Sequence, residues 1–209
     1  MLMHRSICLF LALVAGAPAK AAPADRPPPE LEALVKTAGY QNNVARLFSL
    51  LPSDVFQRCP ALVSNGSRVT IIQPVTFAPD GYPISGLWKQ SFPVSGCGND
   101  TTINLFFQGQ PTEKIGSVVG IAGATHADLA LQRDALRYAI LAVQAASPKC
   151  TDAHVRTSSY DGSGRGKHEK GWLETWTIAA CGHVFQVPLE FIPDATGTVI
   201  SAKVATPVG

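Results

Sequence analysis

The sequence predicts an α+β protein in which a long helix, about residues 126–146, packs on an antiparallel sheet built from two similar three-stranded meanders. Short helices are expected before the first meander. Three observations support this fold. The segments GLWKQSFPVSGCG and GWLETWTIAACG share one spacing of residues, turn-forming residues separate strand-like runs around both, and an amphipathic run lies between them.

The first 21 residues have the features of an export signal. A positively charged start through Arg5 precedes the apolar run ICLFLALVAGA, and the small residues of AKA predict cleavage near Ala21. We then expect a disordered Pro/Ala-rich lead-in over 22–29 and a single α+β domain over 30–209. No later apolar run reaches the about 20 residues that a transmembrane helix needs. A periplasmic or extracellular location is therefore predicted.

The charge balance excludes one class of partner. The whole chain has 17 Lys and Arg against 15 Asp and Glu, and removal of Arg5 and Lys20 with the signal leaves 15 against 15. A domain without excess positive charge has no general attraction to polyanions. We therefore expect no nucleic acid partner.

The short N-terminal helices are predicted from two apolar-periodic runs, ELEALVKTAGY and NNVARLFSLLPSDVFQRC. Gly39 is expected to break the first run, since glycine is a poor helix former. Asn43 is expected to cap the second run, since its side chain can accept from main-chain N–H groups at a helix start.

The predicted internal repeat covers 59–108 and 150–192. Its matched positions are Trp88, Phe92, Val94, Cys97 and Gly98 in the first copy, and Trp172, Trp176, Ile178, Cys181 and Gly182 in the second. Strand-like runs flank the turn-rich tips APDGYPISG and DGSGRGKHEKG, and WLETWTIAA alternates with the period of a strand. Each copy therefore predicts a three-stranded meander, and TVISAKVA adds a further strand to the second.

Four cysteines remain after the predicted cleavage: Cys59, Cys97, Cys150 and Cys181. An even number in an exported chain predicts disulfides, and the absence of any Cys-x-x-Cys pair argues against a zinc site. Pairing within each repeat, Cys59 with Cys97 and Cys150 with Cys181, is favoured, because a hairpin centred near Arg165 brings the last two together. A bond between Cys97 and Cys181 that joins the repeats stays open as the alternative.

The Trp-x3-aromatic-x-aliphatic-x2-Cys-Gly pattern resembles small exported bacterial proteins that carry such hairpins twice. The resemblance covers the two hairpins and is loose elsewhere in the chain. It implies no activity, cofactor or site residue. Internal duplication is one origin of the two segments, and convergence on one hairpin design is the other.

The long helix is predicted from THADLALQRDALRYAILAVQAASPKC, in which leucine, isoleucine and valine cover a wide face. Thr125 is expected to be the N-cap, with Asp128 three residues later in an arrangement similar to a capping box. Pro148 ends the helix, because proline cannot continue it.

No motif predicts a catalytic residue, cofactor or metal. The glycines of GSVVGIAGATHAD match neither a dinucleotide fingerprint nor a phosphate loop, so this segment is interpreted as a flexible connector into the helix. His154 and His183 flank the second meander and could share a metal with Asp152, although no local His-x3-His pair supports it. No Gly-x-Ser-x-Gly nucleophile elbow is present.

The tip DGSGRGKHEKG offers the clearest candidate for ligand contact. Arg165, Lys167, His168 and Lys170 concentrate positive charge there, which suits an anionic envelope component or an acidic protein surface. A solvated hairpin tip is the simpler interpretation of the same residues. The tryptophans alternate with aliphatic residues, which predicts core packing rather than an exposed carbohydrate platform.

The sequence thus predicts an exported, disulfide-stabilised, non-catalytic protein that binds a partner protein or an envelope ligand. One alternative is a cell-envelope hydrolase whose carboxylates meet His183 or His154 only in the folded chain. Another is a secreted enzyme inhibitor that inserts a hairpin tip into a cleft. A cleft that brings His183 within hydrogen-bond reach of an Asp or Glu would favour the hydrolase, whereas a convex surface with His183 isolated would favour the binding protein.

Overall fold

The computed structural model describes residues 26–52, 63–96, 100–112, 114–163 and 171–208. These ranges contain three helices and ten strands, and the strands form two separate antiparallel sheets. The predicted signal over 1–21 and most of the lead-in lie outside the described residues. So do Cys59 and Cys97, together with the tip residues Arg165, Lys167, His168 and Lys170.

The first sheet follows two short helices, α1 (Pro29–Leu34) and α2 (Ala38–Phe48). Its strands are β1 (Val63–Ser64), β2 (Arg68–Phe77), β3 (Pro83–Ser95), β4 (Thr101–Gln108) and β5 (Gly116–Val119). Strands β1 and β2 share one edge of β3, and β4 and β5 follow on its other side. Thus β5 is the outermost strand on that side.

The second sheet follows α3 (Leu129–Ala146). Its strands are β6 (Ala153–Ser163), β7 (Trp172–Ala180), β8 (His183–Pro193), β9 (Thr198–Ala202) and β10 (Thr206–Pro207). The order is β6, β7 and β8, with β9 and β10 sharing the far edge of β8. Both sheets are therefore meanders with one divided outer edge.

The prediction of one shared sheet is wrong, because the two meanders form separate sheets. The three strands predicted for each meander are present as β2, β3 and β4 and as β6, β7 and β8, the added strand of the second meander is β9, and β1, β5 and β10 are additional to the prediction. Residues 120–124, here named the bridging segment, lie between the two meanders and prevent them from pairing directly. Gly120 N donates to Asn104 O of β4 at 2.8 Å, and Ala124 N donates to Ser158 O of β6 at 2.8 Å. The main-chain groups through which β4 and β6 could pair in a single sheet are thus bonded to the bridging segment.

Gly123 makes this close approach possible. It has a φ of 97°, a conformation that glycine adopts without strain. A Cβ at this position would collide with the main chain of Ser158. The Asn104 side chain holds the turn by donating to the carbonyls of Ile121 and Gly123 at 2.9 and 3.0 Å. The bridging segment and β6 therefore approach so closely at Gly123 that a side chain does not fit there.

Each sheet has its own apolar core. Helices α1 and α2 cover the first sheet, where the buried residues include Leu31, Val44, Leu47, Trp88, Ile103, Leu105 and Phe107. Helix α3 covers the second sheet, where they include Ala135, Ala139, Val143, Trp176, Ile178, Val187 and Phe191. The small residues on α3 allow its backbone to approach the aromatic and branched residues of the strands.

The helix starts differ from the predicted ones. Thr37 caps α2, and its side chain accepts from Tyr40 N, so Gly39 and Asn43 lie inside the helix. Pro29, at the end of the predicted lead-in, is the first residue of α1, where its fixed φ suits a helix start.

Helix α3 also starts later than predicted. Asp128 is its N-cap and accepts from Leu131 N at 2.9 Å. Thr125 lies before the helix: its hydroxyl accepts from Ala127 N at 3.1 Å and donates to the Glu174 carboxylate, to which the N–H of His126 also donates. Thr125 therefore fixes the turn that leads into the helix, and Asp128 caps the helix itself.

The second predicted disulfide is confirmed. Cys150 and Cys181 are bonded, with their Cα atoms 5.8 Å apart. Cys181 and Gly182 form the two-residue turn between β7 and β8 and have φ values of 50° and 81°. Positive φ at both positions is the pattern of a type I′ hairpin turn. The bond indicates an oxidising environment.

A buried hydroxyl fixes α2 to the first sheet. Tyr40 Oη donates to Gln90 Oε1 at 3.0 Å and accepts from Trp88 Nε1 at 3.2 Å. Gln90 Nε2 donates in turn to Ser67 Oγ at 2.8 Å. Burial raises the pKa of the Tyr40 hydroxyl well above its ordinary value.

Replacing Tyr40 by phenylalanine tests this network. At neutral pH we expect a loss of about 1–3 kcal/mol, because Trp88 Nε1 and Gln90 Oε1 lose a buried partner. In the wild type, the unfolded chain loses the Tyr40 proton near pH 10 while the folded chain keeps it, so stability falls as pH rises through that region. Urea unfolding of both proteins from about pH 8 to 11 measures this. A wild-type decline no steeper than that of Tyr40→Phe would contradict the account.

Candidate functional site

The outer edge of β5 is open. In the described part of the chain, β5 pairs only with β4, from Leu105 opposite Val119 to Gln108 opposite Gly116. Gly120 N donates to Asn104 O, and antiparallel pairs alternate between bonded and non-bonded. The N–H and C=O groups of Ser117 and Val119 therefore point away from β4.

The side chains of β5 fall on two different faces. Ser117 Oγ accepts from Arg46 and donates to Asn43, both on α2, and Val119 packs on the first core. Val118 lies on the opposite face and is 47% exposed. The strand is thus held by the helix side of the sheet and presents an apolar side chain on the other side.

A continuous groove, here named the β5 groove, runs between β5 and the first half of α3. One lobe, of ≈ 230 Å³, lies beside Leu87, Phe106 and Gln108. A second lobe, of ≈ 390 Å³, continues along the bridging segment to Leu136. Val118 and Leu129 line both lobes, so the two are parts of one groove.

The open edge has defined ends. Gln132 Oε1 accepts from Ile121 N at 2.8 Å, and Gln132 Nε2 donates to Ala127 O at 2.8 Å. This buried side chain closes the edge at Ile121. A further cavity of ≈ 160 Å³ separates the bridging segment from the start of β6 at Val155. Free strand length is thus available from Gly116 to Gly120.

The first sheet and helix α3 carry more positive than negative side chains, and one of the positive ones lines the β5 groove. The strands of the first sheet contain Arg68 and Lys89 and no carboxylate. Arg133 lines the groove, and Arg137 lies one turn further along α3, with both residues exposed. Within the described ranges, the sole ion pair joins Arg26 to Glu32. These four cations therefore have no carboxylate partner in the part of the chain that is described.

The histidines considered from sequence do meet at one place. Asp152, His154, Arg156 and His183 line a cleft of ≈ 160 Å³ beside the Cys150–Cys181 bond. Among the described residues, no group of three or more His, Cys, Asp or Glu side chains could hold a metal ion. The cleft therefore gives the suggested shared metal no support.

Glu174 is the carboxylate with the most contacts. It is 0% exposed. Its Oε1 accepts from Thr125 Oγ1, His126 N and Trp172 Nε1 at 3.1, 2.8 and 2.9 Å, and its Oε2 accepts from Trp176 Nε1 at 2.8 Å. A carboxylate enclosed by four donors joins the segment that precedes α3 to the second sheet and is closed to a substrate.

The tryptophan side chains are structural. Trp88 and Trp176 are fully buried, and Trp172 is partly buried with its ring stacked 4.8 Å from that of Phe191. In the predicted repeat, Gln90 matches Glu174, and each accepts a hydrogen bond from a buried aromatic side chain, from Tyr40 and from Trp176 respectively. A carbohydrate platform on Trp88 or Trp176 is therefore excluded.

Sequence reasoning missed the β5 groove. The segment GSVVGIAG was interpreted as a flexible connector, whereas its first half is β5 and its second half belongs to the bridging segment. The signal available was the apolar pair Val118 and Val119 between glycines. Four residues are too few for periodicity to distinguish a strand from a linker.

Comparison with known proteins adds no family. A scan against protein-family models, a search of curated proteins and a search of solved structures each returned no match to this chain. Function is therefore inferred from the residues and their geometry.

Proposed function

We propose that this protein is an exported, non-catalytic binding protein that takes up an extended segment of a partner protein along β5. The observation that carries the proposal is the open edge of β5 beside an apolar groove. Strand addition uses both features, because main-chain hydrogen bonds give affinity and pockets for alternate side chains give selectivity.

The open main-chain groups and the groove beside them suit an extended peptide. The main-chain groups of Ser117 and Val119 can each pair with such a peptide. Alternate side chains of the peptide would lie on the face of Val118, against Phe106 and Leu129. An edge strand with exposed apolar residues invites pairing with another chain, and here the two lobes of the β5 groove give that chain space.

Export remains part of the proposal. The disulfide between Cys150 and Cys181 supports it, since such bonds persist in oxidising compartments. Among the described residues, no helix is both long enough and apolar enough to span a lipid bilayer. Cleavage near Ala21 and a periplasmic or extracellular location follow from the sequence prediction. The tip with Arg165, Lys167, His168 and Lys170 stays a second proposed contact.

Selection from a displayed library of random peptides, with the purified mature protein as bait, tests the proposal. Ser117→Pro is expected to weaken the selected peptides at least about tenfold, because it removes one outward N–H worth about 1.4 kcal/mol. Proline is tolerated at an edge position whose N–H faces solvent. Ser117→Ala, which keeps the N–H, should bind as the wild type does.

Val118→Asn provides a second test at an exposed side chain. It places an uncharged polar group on the apolar face of β5, where a bound peptide would cover it without offering a hydrogen bond, and should also weaken binding at least about tenfold. Thermal unfolding of all three variants checks the fold. Peptides that bind Ser117→Pro and Val118→Asn as tightly as the wild type, or a library that yields no binder, would overturn strand addition at β5.

A further inference from the structure

We infer that the segment taken up along β5 is acidic, with carboxylates that meet Arg133 and Arg137 on α3 at one wall of the groove and Lys89 near the other. This inference rests on the proposed function and specifies the chemistry of the partner. It depends on where the unpaired cations of the described chain lie relative to the open edge.

Two of the cations lie on the exposed side of α3, next to the groove. Arg133 and Arg137 are four residues apart, so they lie one above the other on the same side of the helix. Arg133 also lines the lobe that Val118 and Leu129 share. Asp134 is turned by about 100° around the helix from Arg133 and lies three residues before Arg137, and neither arginine forms an ion pair with it within the described ranges. A guanidinium group can hold a carboxylate through two parallel hydrogen bonds.

Lys89 provides a cation on the sheet beside the groove, although it lines neither lobe. Lys89 on β3 is directly opposite Phe106 on β4, so both side chains lie on the groove face of the first sheet. Burial lowers the pKa of the Lys89 ammonium group, and no carboxylate forms an ion pair with it within the described ranges. A carboxylate of the ligand would supply that partner.

The excess of cations is local to this sheet. The strands of the second sheet contain Asp161, Glu174 and Glu190 against a single Arg156. The mature chain as a whole is predicted to carry equal numbers of basic and acidic residues. Positive charge along the β5 groove is therefore an arrangement of this surface rather than a property of the whole protein, and it complements an acidic strand.

The test repeats the peptide selection with Arg133→Glu/Arg137→Glu as bait. Lys149→Glu/Lys203→Glu is the matched control, because it changes the net charge equally at exposed positions away from the groove. We expect Asp and Glu to be enriched among peptides selected by the wild type. The groove double variant should bind these peptides at least about tenfold more weakly and should itself select basic peptides, while the control variant keeps wild-type affinity.

The outcomes separate the two proposals. Peptides that need the Ser117 N–H but show no enrichment in Asp and Glu overturn the inference, and so do peptides that bind Arg133→Glu/Arg137→Glu with wild-type affinity. Neither result contradicts strand addition at β5. If acidic peptides lose affinity equally for both double variants, the loss comes from the net charge of the protein and not from the groove arginines. That result also overturns the inference. Peptides that bind Ser117→Pro and Val118→Asn as tightly as the wild type overturn the proposed function, and the inference with it.

Discussion

Replacing Glu174 by leucine is expected to lower the free energy of unfolding by about 3–5 kcal/mol. The carboxylate is fully buried and accepts four hydrogen bonds, two of them from the indole groups of Trp172 and Trp176. Leucine has a similar size but accepts none of them. Each buried donor that loses its partner keeps its full desolvation cost of about 1–3 kcal/mol.

Two further variants show whether the effect comes from the lost acceptors. Glu174→Gln keeps one acceptor oxygen but turns an NH₂ group toward existing donors, so an intermediate loss is expected. Glu190→Gln changes a partly buried carboxylate on β8 that makes no side-chain hydrogen bond within the described part of the chain, and should alter stability by less than about 0.5 kcal/mol. Urea unfolding measures all three. A Glu174→Leu protein within about 1 kcal/mol of the wild type would contradict the role given to this carboxylate.

Removing the Cys150–Cys181 bond has the second large expected effect. The bond closes a sequence separation of 31 residues, and restriction of the unfolded chain by such a loop is worth about 3.7 kcal/mol. The Cα separation of 5.8 Å lies in the ordinary range for a disulfide, so the fold accommodates the bond. The double variant Cys150→Ala/Cys181→Ala should therefore be about 3–4 kcal/mol less stable than the oxidised wild type.

The measurement is urea unfolding of the double variant and the wild type without reductant. Both cysteines are replaced together so that no free thiol remains at this site to exchange with other cysteines. Lys149→Ala, a neighbouring exposed substitution, controls for changes near the loop and should alter stability by less than about 0.5 kcal/mol. Equal unfolding midpoints for the double variant and the wild type would contradict the stabilising role of the bond.

The sequence predicts the second sheet better than the first. Alternation in WLETWTIAA places Glu174, Trp176 and Ile178 on one face, and all three are buried. The Cys150–Cys181 pairing also follows from the hairpin between them. Local periodicity and a short loop determine both features, so they need no knowledge of the distant chain.

The features that were missed depend on contacts between distant parts of the chain. Thr125 is a good N-cap by local rules, yet its hydroxyl donates to the distant Glu174 carboxylate, and the helix begins after Asp128. Two sheets form instead of one because residues 120–124 use the edge groups of both. The β5 groove needs α3, β4 and the bridging segment at once, and no pattern within one segment contains that information.

Main-chain hydrogen exchange at Ser117 and Val119 tests most directly whether β5 is a docking strand. The account predicts fast exchange at both amides in the free protein and strong protection when a library-selected peptide is bound. The amides of β9, an outer strand of the second sheet, should keep their exchange rates. Bound peptide with unchanged exchange at Ser117 and Val119 would contradict strand addition.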